Sequence, residues 1–127
     1  MTQARRIAAI ALTLPLAAFF AFVGWHKTVD SLADLARYHA WTVWLPERLG
    51  RLVGLGEIAC AAGLLAGVWR RRRRLAGVAA LVLVANQAIA AAIHARHGET
   101  GALPQNAVLI ALLALLAMHH RLTADPA

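Results

Sequence analysis

One carboxylate stands alone in an apolar stretch: Glu57, within Gly54-Leu55-Gly56-Glu57-Ile58-Ala59-Cys60-Ala61-Ala62-Gly63-Leu64-Leu65-Ala66-Gly67. An ionisable group in lipid costs at least ~2.5 kcal/mol by insertion scales, so it faces protein or water and takes a partner. Gln87 and His94, seven residues apart, share one face of a helix, and Asn86 is read as pointing elsewhere. His26, Lys27, Gln105 and Asn106 complete the polar set. Such residues support two kinds of chemistry. A quinone-type ring needs hydrogen-bond partners at its two oxygens and apolar walls for its tail. Glu57, Gln87 and His94 are of the type to supply those partners, and a carboxylate near a histidine can pass protons. The other use is structural: Glu57 pairs with Lys27, or with a polar group of a neighbouring helix, and fixes packing. The residues leave both open.

Other chemistries find little support. Haem between paired histidines is not expected, because no apolar run carries a central histidine and there is no Cys-x-x-Cys-His site. His94-x-x-His97 with His26 or His39 is an unspecific metal pattern, and no metal site is expected. A single cysteine, Cys60, forms no intramolecular disulfide and no dithiol centre. Walker loops, Rossmann glycine patterns and nucleophile triads are all lacking.

The elements that must position these residues are membrane spans. Of the 127 residues 61% are hydrophobic and 15% charged, against roughly 25% charged in soluble domains. The mean hydropathy is +0.61. Four apolar runs, Ile7–Trp25, Leu49–Trp69, Leu75–Ile93 and Leu103–Met118, approach the roughly 20 residues a span requires, the last being slightly short. Arg5-Arg6 before an apolar run imitates a signal peptide, but the run is long and no small-x-small site precedes Gly24, so it reads as the first span. The expected fold is all-α: a four-helix transmembrane bundle forming one domain over 1–127. A short amphipathic interfacial helix is expected over Thr28–Trp44, between the first two spans. In it Thr28 caps, Val29, Leu32, Ala36, Ala40 and Val43 form the apolar face, and Pro46 ends the segment.

The net charge of +7 reports topology rather than nucleic-acid binding, which is not expected. Arg70–Arg74 fill the connection between spans two and three, and short basic loops mark the cytoplasmic side. Both termini then lie in the cytoplasm of a multi-pass inner-membrane protein whose immediate partner is the lipid bilayer. Gly50, Gly54, Ala61 and Leu64 fall within about 60° of Glu57 around the helix, so the carboxylate lies on a packing face. Small residues four apart, as in Gly50-x-x-x-Gly54 and Gly63-x-x-x-Gly67, permit close helix contact and offer a route to a homo-oligomer. Glu57 and Gln87 share a depth of roughly 12 Å, with His26, Lys27, His94 and Asn106 above them, which predicts a polar pocket in the outer half of the bundle.

Gly24-x-x-Lys27 closing the first span, Leu45-Pro46, Gly54-x-x-Glu57 with Leu64-Leu65, His94 and Asn106 together resemble the DoxX-like family, the DoxX/DoxD-type small four-span membrane proteins. The resemblance covers nearly the whole chain and marks Lys27, Glu57 and His94 as the polar signature. It implies association with membrane oxidoreductases, since the family takes its name from a subunit of a thiosulfate:quinone oxidoreductase; distant relatives look like assembly or trafficking factors. The expected function is therefore a quinone- or lipid-contacting subunit of a redox system with an oxidoreductase partner. The alternative is a non-catalytic assembly or interaction protein whose polar cluster is structural. Without paired cysteines, thiol-redox work would fall to a partner.

Overall fold

A computed structural model describes residues 2–124. Met1 and residues 125–127, and with them the chain ends whose side of the membrane was expected, lie outside the described residues. The described residues form α1 (Gln3–Val29), α2 (Leu32–Arg37), α3 (Glu47–Ala66), α4 (Arg73–Arg96) and α5 (Leu103–Thr123). Short 3-10 turns cover Trp41–Trp44, Arg70–Arg72 and Thr100–Ala102. The helices built on α1, α3, α4 and α5 are long and apolar enough to cross a membrane. Their outward faces carry exposed Phe22, Leu52, Leu81 and Val108, the pattern of a bundle solvated by lipid. α1, α4 and α5 extend beyond the predicted runs, α3 starts at Glu47 but ends at Ala66, short of Trp69, and the fourth span, expected to be short, continues through His119-His120-Arg121 to Thr123.

α1 packs along α3, α3 along α4 and α4 along α5, whereas α1 and α5 touch least among the neighbouring helices. Phe20, Leu64, Leu83, Leu113 and Leu116 fill the centre with alanines between them. The α1–α3 seam is set by backbone proximity. A Cβ at Gly24 would lie 2.6 Å from the Gly54 carbonyl oxygen, and one at Gly54 would lie 2.7 Å from that of Gly24. Gly63 and Gly67 play the same part against Ala79 and Ala76 of α4. The small-residue face of α3 is thus packed against neighbouring elements of the same chain. On that face Gly50, Gly54, Glu57, Ala61 and Leu64 are all buried, as their angular spacing predicted.

The link between the first two spans departs from the single helix expected over Thr28–Trp44. α1 runs on to Val29, and the Thr28 hydroxyl donates back to the Gly24 carbonyl instead of capping a new helix. Ser31 is the cap, accepting from the Asp34 N–H, and α2 lasts only six residues. It ends because His39 adopts a left-handed conformation (φ 56°). The Ala40 N–H then donates to the Leu35 carbonyl and that of His39 to Ala36, a Schellman closure. The break resets the helical phase. Leu35, Trp41 and Thr42 turn inward, and Val29, Leu32 and Ala36, assigned to the apolar face, are exposed. A second Schellman closure at Gly98 (φ 72°) ends α4 and delivers Glu99 to the same end of the bundle.

Candidate functional site

The close α1–α3 crossing sets Lys27 beside Gly54 and Glu57 beside Gly24, so the two side chains meet across the glycine contact. Lys27 Nζ donates to Glu57 Oε1 at 2.6 Å, and the side chains are 8% and 2% exposed. The ammonium also stands 5.5 Å from the centre of the Trp41 ring. Asn86 points away from the Gln87–His94 face, as its spacing predicted, and towards α3. Its Nδ2 reaches Glu57 Oε2 at 3.5 Å, because α4 packs against both α3 and α5 and adjacent positions face different neighbours. Gln87, one position on, faces α5 and accepts from Asn106 Nδ2 at 2.9 Å. Both members of that amide pair are buried.

Beside these pairs lies a cavity of about 380 Å3. α1, α4, α5 and the α2 connection form its walls, Phe19, Leu35, Trp41 and Leu109 give it apolar surface, and Lys27, Gln87, His94 and Asn106 give it polar surface. Phe22, Tyr38, His39 and Gln105 line it and are exposed, so its mouth is bordered by α1, the α2 connection and the start of α5. Among the cavity's lining residues, Trp41 Nε1 and Asn106 Oδ1 are buried without a hydrogen-bond partner among the described residues, and His94 Nδ1 has only the longer contact to Glu99 Oε1 at 3.4 Å. Buried polar atoms in folded proteins are nearly always paired, so these three mark capacity for a ligand or ordered water.

Of the predicted site residues, Lys27, His26, Gln87, His94 and Asn106 line this cavity. Glu57 does not; it sits behind Lys27 and reaches the cavity only through that ammonium. His26 is held at the rim by Asp30, with Nδ1 2.7 Å from Oδ2. Among the described residues no cluster of three metal-binding side chains occurs.

Sequence reasoning missed the roof. Glu99 Oε1 accepts from Trp44 Nε1 at 2.9 Å, Oε2 lies 3.3 Å from His39 Nδ1, and Oε1 lies 3.4 Å from His94 Nδ1. Trp44 stacks on His97 with ring centres 3.8 Å apart. One carboxylate therefore clasps the α2 connection to the α4–α5 turn. The Trp44 hydrogen bond, followed by those of His39 and His94, holds the Glu99 carboxyl below the usual carboxylate range. Ser31-x-x-Asp34 signalled the α2 cap, and Gly98 before Glu99 signalled the turn.

Four apolar helices around a buried ion pair and a cavity define a small multi-pass membrane protein. The chain belongs to the DoxX-like family, whose sequence profile matches residues 11–116. Comparison with curated proteins and with solved structures gave no match.

Proposed function

We propose that this DoxX-like protein binds a lipid-soluble molecule with a planar polar head, of the quinone class, as a contacting subunit of a membrane redox system. The observation that carries the proposal is the cavity of about 380 Å3 whose mouth is bordered by α1, the α2 connection and the start of α5. Ligand pockets are typically of this size, mostly apolar with a few convergent polar groups. Trp41, Phe19 and Leu109 suit the flat face of a ring, and Lys27, His94 and Asn106 suit its oxygens. A mouth bordered by exposed Phe22 and Tyr38 suits a ligand dissolved in the bilayer. With a single cysteine, Cys60, any thiol-redox step falls to an oxidoreductase partner. The arginine-rich end is proposed to face the cytoplasm of an inner membrane, following the bias of basic loops.

The position of Glu57 favours a second reading for that residue. Paired and absent from the cavity wall, it serves packing, as it would in a non-catalytic assembly protein. Titrating purified protein with a short-chain quinone separates the two. Saturable binding lost in Asn106→Leu but only weakened in Glu57→Gln, at matched folding, supports the ligand site. No binding by the unaltered protein retires the quinone proposal and leaves the assembly role.

A further inference from the structure

The opposite end of the bundle has a different chemistry. Eight of the thirteen lysines and arginines are there: Arg5, Arg6, Arg70 to Arg74 and Arg121. The five carboxylates among the described residues, Asp30, Asp34, Glu47, Glu57 and Glu99, lie at the cavity end or at mid-helix. We propose that this end binds an anionic phospholipid, its phosphate held by arginines and one acyl chain lying along the α1–α5 seam.

Two adjoining hollows support it. The first, about 530 Å3 and mostly polar, is lined by Gln3, Arg5 and Arg6 from the start of α1, with Arg70 and Arg73 opposite. Arg73 is a built feature: it is 9% exposed, its NH1 donates to the Thr123 carbonyl at 3.0 Å, and its Nε is buried without a hydrogen-bond partner among the described residues. The start of α1, capped by the Thr2 hydroxyl, adds the positive end of a long helix dipole. The second hollow, about 370 Å3, is largely apolar, lined by Ala8, Leu12, Leu115 and Met118. Both include Arg5, Leu122 and Thr123, so the charged hollow continues into the apolar one. A free phosphate would use only the first, whereas a phospholipid uses both. Trp69, 65% exposed at this end, fits headgroup depth.

Native mass spectrometry of purified protein with phosphatidylglycerol, phosphatidylcholine of the same chains, or inorganic phosphate tests this. Phosphatidylglycerol is expected to be retained with saturable stoichiometry, and Arg5→Gln/Arg6→Gln to weaken retention at least about tenfold, the loss typical of a charge-assisted contact. Arg74→Gln/Arg121→Gln removes equal charge from exposed residues outside both hollows and is expected to change retention less than about twofold. Arg73→Gln should act like the first pair, and if it fails to fold, the Arg5/Arg6 variant decides alone. Equal losses in the two double variants would overturn the site in favour of diffuse attraction. Equal retention of phosphatidylcholine, or phosphate binding that lipid does not displace, would overturn it too.

Discussion

Replacing Lys27 by methionine, Glu57 by methionine, or both, probes the buried pair most directly. The charged atoms are 2.6 Å apart and the side chains 8% and 2% exposed, so water screens them little. With an effective dielectric of about 20 and charge centres about 3 Å apart, their attraction is roughly 5.5 kcal/mol. Part of that returns as the surviving charge finds other partners, leaving a cost of about 3–5 kcal/mol for each single change. The two survivors differ. Lys27 lines the cavity and can turn towards water, whereas Glu57 is enclosed with only Asn86 at 3.5 Å. Lys27→Met should therefore cost more than Glu57→Met, by on the order of 1 kcal/mol, a fraction of that enclosed charge's cost. The double variant should recover most of the loss, because no charge is left unpaired. Unfolding free energies from detergent titration, arranged as a double-mutant cycle, give the coupling directly. Single changes each below about 1 kcal/mol, or a double variant as unstable as the worse single one, would refute the enclosed-pair reasoning.

Three further expectations follow from the geometry. Gly24→Ala places a methyl 2.6 Å from the Gly54 carbonyl and should destabilise the bundle by about 1–3 kcal/mol in the same titration. Gly56→Ala meets nothing within 4 Å and should be neutral or gain up to about 1 kcal/mol. Because its folded pKa is lowered, Glu99 contributes stability that is complete above the unfolded value near ~4.3 and lost as pH falls through the lower, folded value. Hydrogen exchange over residues 38–45, corrected for intrinsic rates, should stay flat from pH 7 to 5 and rise only below about pH 4, and Glu99→Gln should remove that rise. A rise already complete above pH 5, or one that persists in Glu99→Gln, would refute the carboxylate assignment.

The spans and the burial of Glu57 were legible because each rests on a signal that survives without neighbours. Twenty apolar residues need lipid or a core, and 100° per residue places Gly50, Gly54, Ala61 and Leu64 beside Glu57 wherever α3 packs. The connection was less legible because one residue controls it. Helical spacing over Thr28–Trp44 holds phase only if the helix continues, and the left-handed His39 breaks it where no glycine announces a stop. The Asn86–Glu57 contact was not legible for a related reason: a helix wedged between two neighbours has two inner faces, and a one-face count finds only one. Glu99 depends on two loop ends meeting, which neither segment encodes alone.

The two ends of the bundle differ in how their charges are settled, and that difference matches what each is proposed to bind. At the cavity end most charges have a partner within the chain: Lys27 with Glu57, His26 with Asp30, Arg51 with Glu47, and Glu99 with its clasp. Paired charges present a nearly neutral wall to the cavity, which suits an uncharged ring carrying hydrogen-bond acceptors. At the arginine end Arg73 is buried, and its Nε has no hydrogen-bond partner among the described residues. A buried cation is stabilised by an anion beside it. In the proposed site a membrane phosphate supplies that anion, and the apolar groove beside Arg5 selects phosphates that carry an acyl chain.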